Sequence, residues 1–126
     1  MTITKWLNYE FQTSSTTTEK FVDFFKDLKK YIKTNLPEGA ELVNFTKNHF
    51  CGSGFVKKGD KYVYISISDV RFFKDEWYNK MLIRTAKHDK DFTGGANGFT
   101  DLPNLKKEIE NMIEWRWTKW QQIKQH

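Results

Sequence analysis

Apolar residues at spacings of three and four run from Phe21 through Phe24, Phe25, Leu28, Tyr31 and Ile32 to Leu36, while lysines and aspartates fill the opposite face. That period predicts an amphipathic helix over residues 17–35, its one apolar stripe laid against something flat. Thr16 and Glu19 have the spacing of a capping box at its start, and Pro37 and Gly39 end it. Residues 40–47, 50–57 and 61–69 then change period. In the last of these, Val63, Ile65 and Ile67 alternate with Tyr62, Tyr64, Ser66 and Ser68, which predicts a strand with an apolar face and a tyrosine and hydroxyl face. Gly59 in Lys57–Lys61 suits a tight hairpin turn. Residues 81–86 read as a further strand after a turn around Asp75–Asn79, and residues 3–12, rich in aromatics, read as a first strand. Thr100 or Asp101 caps a last helix starting near Pro103, with Leu105, Ile109, Met112, Ile113, Trp117 and Trp120 on its apolar side. The predicted order is β-α-β-β-β-β-α. It describes a single α+β domain over residues 1–126, an antiparallel sheet of four to five strands with an N-terminal and a C-terminal helix packed on it, and an extended tail at 115–126.

Size and composition agree with that picture. A chain of 126 residues can bury about two thirds of its unfolded surface without staples. Aromatics make up 17% of the residues, charged side chains 29%, and the mean hydropathy is −0.74, which excludes both a disordered chain and an integral membrane protein. The N-terminus lacks an apolar signal core, so a cytoplasmic location is expected. Cys51 stands alone, so no internal disulfide forms. A net charge of +5 invites an acidic partner. Yet residues 1–60 carry nine basic and seven acidic groups, and residues 61–126 twelve and nine, so neither half is a basic arm.

No phosphate-binding loop, dinucleotide fingerprint, His-Glu-x-x-His or Cys-x-x-Cys occurs, which counts against the common enzyme mechanisms. Three constellations remain. His49 and Cys51, two apart in a strand, would share a face and with His88 could hold a Zn²⁺ ion; against this, a lone strand cysteine is usually a small buried hydrophobe. The same cysteine and histidine offer a nucleophile and base, but no third orienting residue is evident. The loop from Lys87 to Thr100, with Gly94, Gly95 and Gly98, is too polar and glycine-rich to be regular. With Arg84, Lys87 and Lys90 it suits binding rather than catalysis. Asp69 and Arg71 read as a local ion pair, with Arg71 also a candidate for phosphate. The tail Trp115-Arg116-Trp117-Thr118-Lys119-Trp120 carries three tryptophans beside Arg116 and Lys119, which suits either an interface anchor or a cover for the open end of the sheet.

The stretch LPEGAELVNFTKNHFCGSGFVKKGDKYVYISISDVRFF, followed by LIRTAKHDKDFTGGANGFTDL, resembles a family of small, uncharacterised proteins encoded by phages and integrated elements of Gram-positive bacteria. The likeness covers roughly residues 5–113 and brings no established activity motif. Genes of this size on such elements include anti-CRISPR proteins, so the resemblance implies a non-enzymatic inhibitor of a host defence complex. A DNA mimic would be acidic; this chain would instead grip an acidic protein surface or a ribonucleoprotein such as an RNA-guided nuclease. Arg71, Arg84, Lys87, Lys90, Trp115, Arg116 and Lys119 are the expected contacts. The competing expectation is a small nucleic-acid-binding module that stacks bases on Tyr62 and Tyr64 and holds phosphates with Arg71, Lys87 and Lys90.

Overall fold

A computed structural model describes residues 3–7, 9–11, 18–92 and 95–116; the side chains of Trp115 and Arg116, and residues Thr16, Trp117, Lys119 and Trp120, lie outside the described set. The chain forms helix α1 (Glu19–Thr34), strands β1 (Glu41–Asn48), β2 (Cys51–Lys58) and β3 (Lys61–Ile67), a short helix α2 (Glu76–Asn79), strands β4 (Met81–Ala86) and β5 (Asn97–Thr100), and helix α3 (Leu105–Asn111) running on into a π-helical turn at Met112–Arg116. The five strands form one antiparallel meander in chain order. The α+β class is as expected from the sequence. Among the described residues no helix is long and apolar enough to cross a membrane.

Two elements differ from expectation. The N-terminal aromatics form a 3-10 turn at Ile3–Trp6 rather than a strand. Trp6, Tyr9 and Phe11 do not alternate between faces; their rings cluster, and those of Trp6 and Phe11 reach Phe24 of α1 at 5.8 and 5.0 Å between centroids. Trp6 Nε1 donates to Asp27 Oδ2 at 2.8 Å, fixing the segment to the helix. The fifth strand comes instead from the glycine-rich stretch expected to be irregular: Asn97-Gly98-Phe99-Thr100 pairs with Arg84, Ile83, Leu82 and Met81 of β4.

α1 starts where Thr18 Oγ1 accepts from the Phe21 amide at 3.4 Å, and ends where Asn35 donates back to Ile32 and Tyr31. It buries Phe21, Phe24, Leu28 and Ile32. Phe25, also part of the predicted apolar stripe, lies at its edge, half-buried and stacked on Phe45 at 5.2 Å. Gly52 and Gly54 on β2 explain the close approach: a Cβ on the first would press into the Phe25 ring, and one on the second into the backbone of Phe45. The helix layer covers Val56, Val63, Ile65, Ile67, Met81 and Ile83 on one face of the sheet, and Trp77 of α2, Leu105, Ile109 and Met112 complete this core. Asp101 Oδ1 accepts from the Asn104 amide at 2.9 Å and caps the turn that leads into α3.

Candidate binding surface

The other face of the sheet is built from the alternate residues. Its middle row, by register, is Val43, Phe55, Tyr64, Arg84 and Asn97. Phe55 is only 1% exposed although no helix covers it. Its cover is the loop after β4. Phe92 packs its ring 5.4 Å from Phe55 and 5.9 Å from Tyr64. Arg84 lies 4.4 Å above the Tyr64 ring and donates through Nη2 to Asp91 O at 2.8 Å and through Nη1 to Phe92 O at 3.3 Å. Asp91 Oδ2 accepts from the Lys87 amide, and Asn44 Nδ2 on β1 donates to Asp89 Oδ2 at 3.1 Å. The loop is therefore a strap from β4 back to β1, with Arg84 as its clasp.

This placement changes the reading of several candidates. Arg84 spends its guanidinium on two carbonyls and a ring, so it organises the strap. Lys87 and Lys90 stand exposed on the strap. Tyr64 lies beneath Arg84 and Phe92, and Lys57 Nζ sits 5.8 Å from the Tyr62 ring, so the tyrosine face is not an open stacking platform. Arg71 is held as well: Nη2 is 2.6 Å from Asp69 Oδ2, Nε donates to Asp69 Oδ1 at 3.0 Å, and the guanidinium lies 4.6 Å from the Phe50 ring and 5.0 Å from that of Phe72. These hydrogen bonds hold the Asp69 carboxyl below the usual carboxylate range and raise Arg71 further.

The metal constellation does not assemble. His49 is not in a strand; it occupies the β1–β2 hairpin turn with a φ of 55° and an exposed side chain. His88 follows Ala86, which pairs with Tyr62, itself opposite Lys57. Cys51 is six residues back along β2 from Lys57, roughly 20 Å at the rise of a strand. Among the described residues no group of three or more His, Cys, Asp or Glu side chains is placed to hold an ion. Burial, and next the Asp69 charge, push the Cys51 thiol up, the opposite of what an activated nucleophile requires.

Beyond the strap the outer face is only partly covered among the described residues. Its next row runs Thr46, Ser53, Ser66, Leu82 and Phe99. Ser66, Leu82 and Phe99, with Cys51, Phe73 and Lys80, line a cleft of about 520 Å³ between the sheet and α2. Phe73 is 51% exposed, Phe99 60% and neighbouring Phe72 67%. Sequence reasoning missed this surface. Its three phenylalanines come from a turn and from a strand hidden in a glycine-rich stretch, and no periodicity links them. Comparison with known proteins finds no family model, curated protein or solved structure that matches the chain.

Proposed function

We propose that the chain is a non-enzymatic binding protein that docks a protein partner on the cleft between Phe73 and Phe99. The observation that carries this reading is the pair of half-exposed rings on one cleft, beside Phe72; among the described residues the one other large apolar side chain so exposed is Phe92, whose ring packs on Phe55 and Tyr64 in the strap. Exposed aromatics grouped round a concavity are the usual anchor of a protein interface. The raised Cys51 thiol and the dispersed histidines favour binding over catalysis. The covered state of Tyr64 and the engagement of Arg84 and Arg71 favour a protein over a nucleic acid as the partner. The resemblance to phage and integrated-element proteins makes an inhibitor of anti-CRISPR type the reading to test, with an RNA-guided nuclease ribonucleoprotein as the partner. Net charge of +5 directs such an inhibitor away from the DNA channel.

The test uses purified nuclease ribonucleoprotein from a Gram-positive host, with target cleavage and co-purification as readouts. The chain should bind the complex and slow cleavage, and a Phe73→Ser, Phe99→Ser double variant should lose both while melting as the parent does. Retention on nucleic acid alone, unaffected by the double variant and steeply weakened by salt, would replace this reading with the nucleic-acid one.

A further inference from the structure

On that protein-docking reading, we infer that the partner presents an extended, acidic segment that adds to the sheet at β5, with an apolar side chain in the Phe73–Phe99 cleft. The direction of the β5 backbone comes first. The Thr85 amide donates to Ala96 O at 3.2 Å, which makes Arg84 and Asn97 a non-hydrogen-bonded pair. The register runs without a bulge to Leu82 and Phe99, two residues on, so that pair is of the same kind. The N–H and C=O of Phe99 therefore point away from β4, out of the last strand of the sheet among the described residues. A backbone donor and acceptor side by side on an edge are matched by another extended backbone.

The two edges of the sheet are not alike. β1 carries Glu41 and Lys47, an irregularity between Val43 and Thr46 where Asn44 takes a φ of 54°, and a tether from Asn44 to the strap. Charge, bulge and cover are the devices that stop a strand from recruiting a neighbour. β5 has no charge, no proline and no bulge; among the described residues its one defence is its length of four residues. That length limits the backbone contribution to about one pair of hydrogen bonds around Phe99, so side-chain anchoring must supply the rest. The Phe99 side chain faces the cleft and places that anchor beside the edge.

Charge selects the segment. Lys80 lies over the Phe99 ring at 5.2 Å from its centroid, and Lys107 lines a second cleft of about 500 Å³ that Phe99 shares with Asn79, Asp101 and Asn104. Both are exposed, and neither is ion-paired to a carboxylate among the described residues. Four carboxylates also line these clefts: Asp69 is held by Arg71, Asp101 Oδ1 accepts from the Asn104 amide, and Glu76 and Glu108 are half-buried. Among the described residues this leaves the two lysines as the exposed, unpaired charges next to the ring. An acidic strand meets the two lysines. A second copy of this chain pairing β5 to β5 would bring Lys80 towards Lys80 and offer no acid from Asn97-Gly98-Phe99-Thr100, so self-association is disfavoured.

The experiment titrates the isotope-labelled full chain with a peptide alternating valine and glutamate, followed by amide NMR shifts and calorimetry at low salt. Two further peptides serve as comparisons: one N-methylated at alternate residues to remove backbone donors, one with lysine in place of glutamate. Expected are shifts at Phe99 and Phe73, slower hydrogen exchange at the Phe99 amide, and affinity about tenfold or more weaker for each comparison peptide. Lys80→Glu should narrow the preference for the acidic peptide. Equal binding of the N-methylated and the unmodified peptide would overturn strand addition while leaving the cleft as a docking site. Absence of any response at Phe73 and Phe99 would sink both, and self-association of the free chain through β5 would transfer the edge to a second copy.

Discussion

The two faces of the sheet are finished differently. On the helix side one continuous core joins Trp6, Phe11, Phe24 and Trp77 at one end to Ile65, Ile83 and Ile109, all nearly inaccessible. On the other side Phe92 and Arg84 cover Phe55 and Tyr64 with one ring and one guanidinium, and among the described residues the remaining half is only partly covered, with the exposed Phe73 and Phe99 on it. Side chains on the first face are placed by the need to bury apolar area; on the second, Phe99 is 60% exposed and could be polar at little cost to the fold. Exposed aromatics where the fold does not demand them are where function is to be sought.

The largest break in this contrast is on the helix side. Phe24→Ala removes a ring that touches Trp6, Phe11, Phe21 and Trp77, and should cost about 3–5 kcal/mol in urea unfolding. Phe25→Ala, at the stripe's edge, should cost about half as much or less. The reverse ranking would mean that the helix is rotated from the orientation described.

Next comes the strap. Phe55→Ala leaves a gap that a surface loop can partly close, so a loss of about 2 kcal/mol is expected rather than the full value of a core phenylalanine. Amide exchange should quicken at Lys87, Asp91 and Ala96 and stay unchanged in α1, because the strap belongs to a separate small cluster. Equal acceleration in α1 would merge the two cores into one.

How far the sequence foretold these layers follows from the same physics. α1, β3 and β4 were legible because their period is carried by many residues; Val63, Ile65 and Ile67 all lie inside. Thr18, not Thr16, proved to be the N-cap, a matter of which hydroxyl the helix end selects. The N-terminal aromatics misled because Trp, Tyr and Phe favour strands only when a pleated surface is there to receive them, and here they found the side of α1. β5 was hidden because four residues cannot show alternation and Gly98 carries no signal. The buried Trp77 was passed over for a similar reason: α2 is one turn long. Of the site, only the strap's composition was visible. Its arginine was read as a ligand for others when it serves the loop's own carbonyls.

A smaller effect concerns pH at the rim of the cleft. Arg71 lowers the folded-state carboxyl of Asp69 below its unfolded value, which is near 3.9 for an aspartate. Its stabilisation is therefore complete above that value and is lost as pH falls through the lower, folded one. Asp69→Asn should be less stable than the parent at neutral pH, and the gap should close as pH falls below about 4. A gap that persisted unchanged into acid would mean that the variant acts through packing of Phe50 and Phe72 rather than through the ion pair.

The smallest change in stability should accompany the largest change in binding. Phe73→Ser and Phe99→Ser remove rings that are more than half in water and touch little of the core, so unfolding free energies should move by about 0.5 kcal/mol or less. Serine loses some strand preference at Phe99, while removing an exposed ring lowers the apolar area presented to water; these opposing terms keep the net small. Docking depends on those same rings, so each variant should weaken partner binding by about tenfold or more, the equivalent of about 1.4 kcal/mol at an interface anchor. Phe24→Ala supplies the opposite pattern: a large loss of stability, and binding retained by whatever fraction stays folded. Should Phe99→Ser instead unfold the protein as Phe24→Ala does, the partly covered half of the outer face would be structural after all, and its phenylalanines would be explained by packing alone.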